Sequence, residues 1–102
     1  MIKLEGESFD NITSSGTTLV VFGADWCGHC QVAKPITEEV ASKYENIITV
    51  AELNIDDDRE IARRYEIKSI PTFILFKDGR VMSRNDNVRQ VEALENMIRD
   101  AQ

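Results

Sequence analysis

The 102 residues of this chain include only two cysteines, one histidine, one tryptophan and two prolines. Two cysteines are too few for a disulfide scaffold, and a chain of this length can close one hydrophobic core without such staples. No apolar run approaches the ~20 residues of a membrane span. Basic clusters are missing as well: 12 Lys and Arg stand against 18 Asp and Glu, for a net charge of −6. Nucleic acid and anionic membrane both select clustered positive charge, so neither is an expected partner. The D-x-D-x-D-G spacing of a calcium loop is absent at Asp56-Asp57-Asp58. Met1 to Glu5 lacks the apolar stretch and cleavage site of a secretory signal, and Asp100-Ala101-Gln102 is not a retrieval sequence. Asn11-Ile12-Thr13 fits the glycosylation sequon, a match that short motifs often make by chance. The expected setting is a reducing cytoplasm, and the expected state is a monomer with one domain over residues 1–102.

The scarce residues are concentrated. Ala24-Asp25-Trp26-Cys27-Gly28-His29-Cys30 holds both cysteines, the tryptophan and the histidine. The apolar run Thr17 to Phe22 precedes it, too continuous to alternate, and reads as a central strand buried on both faces. Val32, Ile36, Val40 and Tyr44 recur at helical spacing behind it, predicting a helix over 28–44 with Pro35 inside.

Around this centre, Ile2 to Leu4 reads as a short strand, and Ser8 to Ile12 as a helix capped by Ser8. Ile47 to Ile55 predicts the next strand, and one aspartate of Asp56-Asp57-Asp58 caps a helix to about Tyr65. A connector over 67–71 leads to a strand over 72–76, a turn at Lys77-Asp78-Gly79-Arg80 and a returning strand over 81–84. Val88, Val91, Leu94 and Ile98 mark one face of a final helix over 87–101. Alternation of strands and helices up to the hairpin predicts parallel pairing there, with an antiparallel edge strand after it. The fold class is α/β: a mixed sheet with helices on both faces.

Two thiols separated by two residues at a strand-to-helix junction can close and reopen a disulfide. A thiolate is the attacking species. Cys27 falls at the helix start, where unpaired N–H groups and the helix dipole favour negative charge. Cys30 lies one turn inside and is expected to be less exposed. Cys27 is thus the expected attacking sulfur, and Cys30 the one that resolves the mixed disulfide. Gly28 keeps the approach open. A protonated His29 would stabilise the Cys27 thiolate, favour the dithiol and make the pair a stronger oxidant. Trp26, beside Cys27 on a loop rim, is a candidate contact to substrate. Structural zinc needs more ligands than this one C-x-x-C supplies, so no metal is expected.

These residues resemble the thioredoxin family over nearly the whole chain. The resemblance is carried by Phe22 to Cys30, then Pro35, Leu53-Asn54-Ile55-Asp56, Ile70-Pro71-Thr72 and Phe76-Lys77-Asp78-Gly79. It implies a thioredoxin fold with a five-stranded mixed sheet and a cis Ile70–Pro71 peptide facing the cysteines. It also implies that the Ile70 backbone pairs with a bound substrate strand, so Trp26, Gly28, Ile70 and Pro71 form the expected substrate-binding set. The implied activity is reduction of protein disulfides, with no cofactor beyond the Cys27–Cys30 pair and with a flavoprotein thioredoxin reductase as electron donor.

Three positions depart from the family pattern. His29 replaces the usual proline and resembles protein disulfide isomerase domains. General values are about −270 mV for thioredoxin and about −180 mV for the isomerase, so a raised potential is expected. Val21 stands where the family has a buried acid, and Glu52 where it has that acid's lysine partner. A lone Glu52 within Val50-Ala51-Glu52-Leu53 is expected to relay the proton of Cys30, its own pKa raised by burial. Gly23 replaces an aromatic, and Asn87 a glycine whose left-handed geometry asparagine tolerates. A protein-disulfide oxidase or isomerase is the alternative function, through His29. A redox-inactive adapter has no need of both cysteines at this spacing. Glutaredoxin-like use of glutathione lacks an evident basic pair near the motif.

Overall fold

Strand β2 (Thr17–Gly23) is the middle of the molecule. Its side chains alternate between two cores: Leu19 joins one cluster, while Val20 and Phe22 join the other. Burial on both faces explains its unbroken apolar character. The computed structural model describes residues 1–102 in full. In chain order, β1 (Ile2–Lys3), α1 (Gly6–Thr13) and β2 are followed by α2 (Gly28–Lys43) and β3 (Thr49–Asn54). Then come α3 (Arg59–Arg64), β4 (Thr72–Lys77), β5 (Arg80–Asn85) and α4 (Val91–Asp100). The five strands form one sheet in the order β1-β3-β2-β4-β5.

One core packs Leu19, Val50, Phe73 and Leu75 of the sheet against Ala33 and Val40 of α2 and Leu94 and Ile98 of α4. The opposite core gathers Phe9 of α1 and Ile61 of α3 over Val20, Phe22, Leu53 and Phe76. Helices therefore cover both faces, as expected. No helix is long and apolar enough to cross a membrane.

The pairing differs from the expectation at β4. β1, β3 and β2 run parallel, but β4 is antiparallel to β2 as well as to β5. The six residues of α3 rise only ~9 Å at 1.5 Å per residue, about half the length of a six-residue strand. Such a helix does not carry the chain back along the sheet, so β4 starts near the end at which β3 finishes. Among the three aspartates, Asp58 is the cap: its Oδ1 accepts the Ile61 N–H at 3.0 Å.

Four local expectations are also corrected. Helix α1 begins at Gly6, and Ser8 lies inside it, its Oγ accepting the Glu5 N–H at 3.0 Å from within the first turn. Val32 is 69% exposed, and α2 buries Ala33, Thr37 and Val40 instead. A strict four-residue repeat drifts about 40° per step round a helix of 3.6 residues per turn, so Val32 and Tyr44 lie about 120° apart. The final helix begins only at Val91; Val88 precedes it and is still buried. Asn85 Oδ1 accepts the Asn87 N–H at 2.8 Å, a side-chain turn that competes with helix formation. Finally, Asn87 is not left-handed; Glu66 and Asp78 are the non-glycine residues with positive φ. Asp78 and Gly79, at φ 50° and 85°, make the tight β4–β5 turn expected of an Asp-Gly pair.

Candidate active site

β2 ends at Gly23, and the loop that follows turns directly into α2. The Cys27 N–H donates to the Ala24 carbonyl at 3.2 Å, which tightens this loop. Cys27 is the residue that caps α2, with extended backbone (φ −88°, ψ 114°). Its Sγ accepts the Cys30 N–H at 3.1 Å. A sulfur thus performs the task that an Asp or Ser oxygen does at other helix starts, and an anionic sulfur accepts that bond better than a neutral one.

On its other side, Cys27 Sγ lies 3.8 Å from the carbonyl oxygen of Ile70. The Ile70–Pro71 peptide is cis, as the resemblance implied. Thr72 Oγ1 donates to the Ser69 carbonyl at 2.6 Å and closes the turn that presents this peptide. Ile70 and Pro71 are therefore brought against Cys27, although they are distant in sequence.

Trp26 is 69% exposed on the loop rim. Its Nε1–H donates to Asp56 Oδ2 at 2.7 Å, which fixes the ring. Asp56 is a site residue that sequence reading missed, because a triplet of aspartates before a helix reads as a cap. Gly28 and His29 are exposed in the first turn of α2.

Taken as whole residues, the two cysteines are exposed in the reverse of the expected order, although it is the Cys30 thiol that burial desolvates. Cys27 is 6% exposed, while Cys30 is half-buried. Cys27 sits in the angle between the loop and the cis peptide. Cys30 instead opens onto a cleft of about 210 Å³ on the α2 side of the sheet. Gly23 makes the room: a Cβ there would stand 3.1 Å from Cys30 Sγ. Burial within α2 takes water away from the Cys30 sulfur. This desolvation, with the hydrogen bond to Cys27 second, pushes the Cys30 thiol up to about 11.

Glu52 lies in register with Val21 on one side and Lys3 on the other. It is half-buried and lines the same cleft as Cys30, with Lys3 and Lys34. The expected neighbours Cys30 and Glu52 do share one enclosure. No group of three or more His, Cys, Asp or Glu side chains is arranged to hold a metal ion.

A thiol pair of unequal environment beside a cis-proline turn, on this sheet order, decides the class. The thioredoxin family model matches residues 1–100. The chain belongs to the thioredoxin family. It is 41% identical over 99 residues to a thioredoxin of Chlamydia pneumoniae, covering 96% of each chain. It is 39% identical over 84 residues to a thioredoxin of Staphylococcus aureus, covering 82% of this chain and 81% of that one. As a thioredoxin-family protein it is a thiol–disulfide oxidoreductase with protein-disulfide reductase activity, working through its cysteine pair without a separate cofactor. Protein disulfides and a thioredoxin reductase are the partners that membership implies in general.

Proposed function

We propose that the reduced protein attacks substrate disulfides through Cys27 and releases them through Cys30. The observation that carries this assignment is the asymmetry of the pair. Cys27 Sγ receives the Cys30 N–H at a helix start, whereas Cys30 is held as a thiol near 11. Attack by Cys27 forms a bond to one substrate sulfur and expels the other as thiolate. Cys30 then loses its proton, attacks Cys27 Sγ, closes the Cys27–Cys30 disulfide and expels the second substrate sulfur. Trp26, Gly28, Ile70 and Pro71 are the proposed substrate-binding residues, with the Ile70 carbonyl 3.8 Å from Cys27 Sγ and its backbone proposed to pair with an extended substrate. The expected result in an insulin-disulfide reduction assay is turnover by the wild type and none by Cys27→Ser. Turnover by Cys27→Ser would refute the assignment.

Glu52 is the proposed proton acceptor for Cys30, supported by their shared cleft. With the thiol pushed up to about 11, its thiolate fraction rises about tenfold per pH unit between pH 6 and 9 when no internal base assists. Burial, the largest cause of the shift, persists while Cys27 is tied to substrate. Glu52→Gln should therefore resolve mixed disulfides with that full slope. The wild type should be flatter and faster at pH 7 by about 10²-fold, the lower range for a positioned general base. Equal rates and slopes in stopped-flow measurements would remove Glu52 from the mechanism.

His29 is proposed to raise the reduction potential. Charge beside the Cys27 thiolate stabilises the dithiol, so His29→Pro should lower the potential by about 30 mV, a tenfold change in the equilibrium constant. Titration against glutathione reads this, and an unshifted value would leave His29 without a redox role. A wild-type potential near that of the glutathione pool would favour the oxidase or isomerase reading; the thioredoxin relatives favour the reductase. The proposed setting is the cytoplasm, with a monomer recharged by a flavoprotein thioredoxin reductase. This reading is supported by the family and by the lack of any helix suited to a membrane.

A further inference from the structure

The far end of β5 is tied to the connector that carries Ile70. Arg84 Nη1 donates to the Tyr65 carbonyl at 2.7 Å, and Nη2 donates to the Glu66 carbonyl at 3.3 Å. Just past the strand, Asp86 Oδ2 accepts the Ser69 hydroxyl at 3.2 Å. We propose that Arg84 is a positioning residue for substrate: it holds the connector after α3 so that Ile70 presents its backbone to the chain being reduced. This rests on the proposed pairing of Ile70 with an extended substrate and adds the group that keeps Ile70 in place.

The connector needs such a hold because of how α3 ends. The Glu66 N–H donates to the Arg63 carbonyl at 3.1 Å, and the Ile67 N–H to the Ala62 carbonyl at 2.9 Å. This reversal takes left-handed backbone at the residue after the cap, a place that glycine usually fills. Here that residue is Glu66, at φ 51°, and its Cβ makes the conformation costly. The Tyr65 and Glu66 carbonyls accept no backbone hydrogen bond, and they stand at a helix C-terminus, where positive charge is favoured. The planar fork of a guanidinium satisfies both at once. The connector then runs only through Ile67, Lys68 and Ser69 before Ile70, whose carbonyl lies 3.8 Å from Cys27 Sγ.

A bulge in β5 is what aims Arg84 at α3. Phe76 pairs with Val81 but Leu75 with Ser83, so Met82 is an extra residue in the ladder. Beyond it Arg84 stands opposite Ile74, whose side chain packs in the core with Phe9 of α1 and Ile61 of α3. Directly opposed residues share a face of the sheet, so Arg84 lies on the α3 side. Without the extra residue Ser83 would oppose Ile74, and Arg84 would turn to the side of α2 and α4. Arg84 is itself exposed, so its removal opens no hole in either core. A connector released from Arg84 has to be ordered again when substrate pairs with it. That cost falls on substrate binding rather than on sulfur exchange, because the start of α2 holds Cys27 independently.

The test follows oxidation of the reduced full-length protein by the fluorescence of Trp26, which adjoins Cys27. The disulfide is either insulin or hydroxyethyl disulfide, which has no backbone to pair. Arg84→Ala should raise the half-saturating insulin concentration about tenfold, as loss of a charged hydrogen-bonding group does. The limiting rate with insulin and the rate with hydroxyethyl disulfide should stay within about twofold of wild type. An unchanged half-saturating concentration, or an equal loss on both disulfides, overturns the proposal. Glu66→Gly in the Arg84→Ala background should recover roughly threefold, because glycine adopts left-handed backbone without a Cβ clash. Glu66→Gln removes the same charge but keeps the Cβ, and should recover nothing. Equal recovery by both, or none by either, would overturn the role of the turn. The pairing itself is read separately, from amide exchange at Ile70 in the Cys30→Ser protein joined through Cys27 to an insulin chain. Slowed exchange there, together with wild-type kinetics for Arg84→Ala, removes Arg84 and leaves the pairing. Unslowed exchange removes the pairing and the proposal with it.

Discussion

Cys30→Ser is expected to turn the protein into a trap that holds one substrate per molecule. Cys27 keeps its position at the helix start and still attacks, but the serine oxygen cannot displace it from the mixed disulfide. The Cys30 N–H that donates to Cys27 Sγ at 3.1 Å belongs to the backbone, so the substitution leaves it in place. An oriented intramolecular nucleophile acts at effective concentrations of up to about 10⁵–10⁸ M. Without it, only external thiol clears the adduct. Non-reducing electrophoresis and mass spectrometry should find substrate bonded to Cys27, with insulin turnover lost. Cys27→Ser should accumulate no comparable adduct, because the Cys30 thiol near 11 is a poor nucleophile source at neutral pH. A Cys30→Ser protein that turns over at the wild-type rate would mean that resolution does not pass through Cys30.

Phe9→Ala should have the largest effect on stability. Phe9 is 0% exposed and anchors α1 to the sheet. Its ring meets Phe76 edge-on at 5.6 Å between centroids, Tyr65 at 5.6 Å and Phe22 at 6.3 Å. Deleting a buried phenylalanine costs about 3–5 kcal/mol in lost burial and cavity formation. A domain of ordinary stability has only about 5–15 kcal/mol in all. At about 4–8 °C per kcal/mol for a domain approaching 100 residues, the Tm should fall by about 12 °C or more. Urea denaturation provides the same comparison, and a loss under about 1 kcal/mol would show that the aromatic cluster repacks around the gap. Phe9 lies across the sheet from α2, so below its Tm the variant should keep the Cys27–Cys30 chemistry.

Much of this protein was legible residue by residue. The pair Cys27 and Cys30 at a strand-to-helix junction, the doubly buried run into Phe22 and the Asp78-Gly79 turn are local signals. Each depends on φ, spacing or burial within a few residues, and each appears in the structure as read. The Asp triplet was legible only as a group: local chemistry predicted a cap, but not that Asp58 would take it and Asp56 would hold Trp26. The helix ends at Gly6 and Val91 escaped for a related reason. Side chains of Ser8 and Asn85 bind nearby backbone in ways that compete closely with capping.

The sequence by itself determined which atoms do the chemistry: two thiols, placed three residues apart where a helix begins. The proposed division of labour between them also starts from a local feature, the electrostatics of a helix start. Tertiary structure alone decided what each sulfur faces. The antiparallel return of β4 follows the cis Ile70–Pro71 turn, which sets the Ile70 carbonyl against Cys27. Parallel register between β2 and β3 sets Glu52 beside Val21, while β1 contributes Lys3 and α2 contributes Lys34 to the cleft at Cys30. Periodicity specifies which face of an element is buried but carries no record of its neighbour. That choice belongs to the packing of the whole chain, and here it set Cys27 against the Ile70 carbonyl and Cys30 beside the cleft that Glu52 lines.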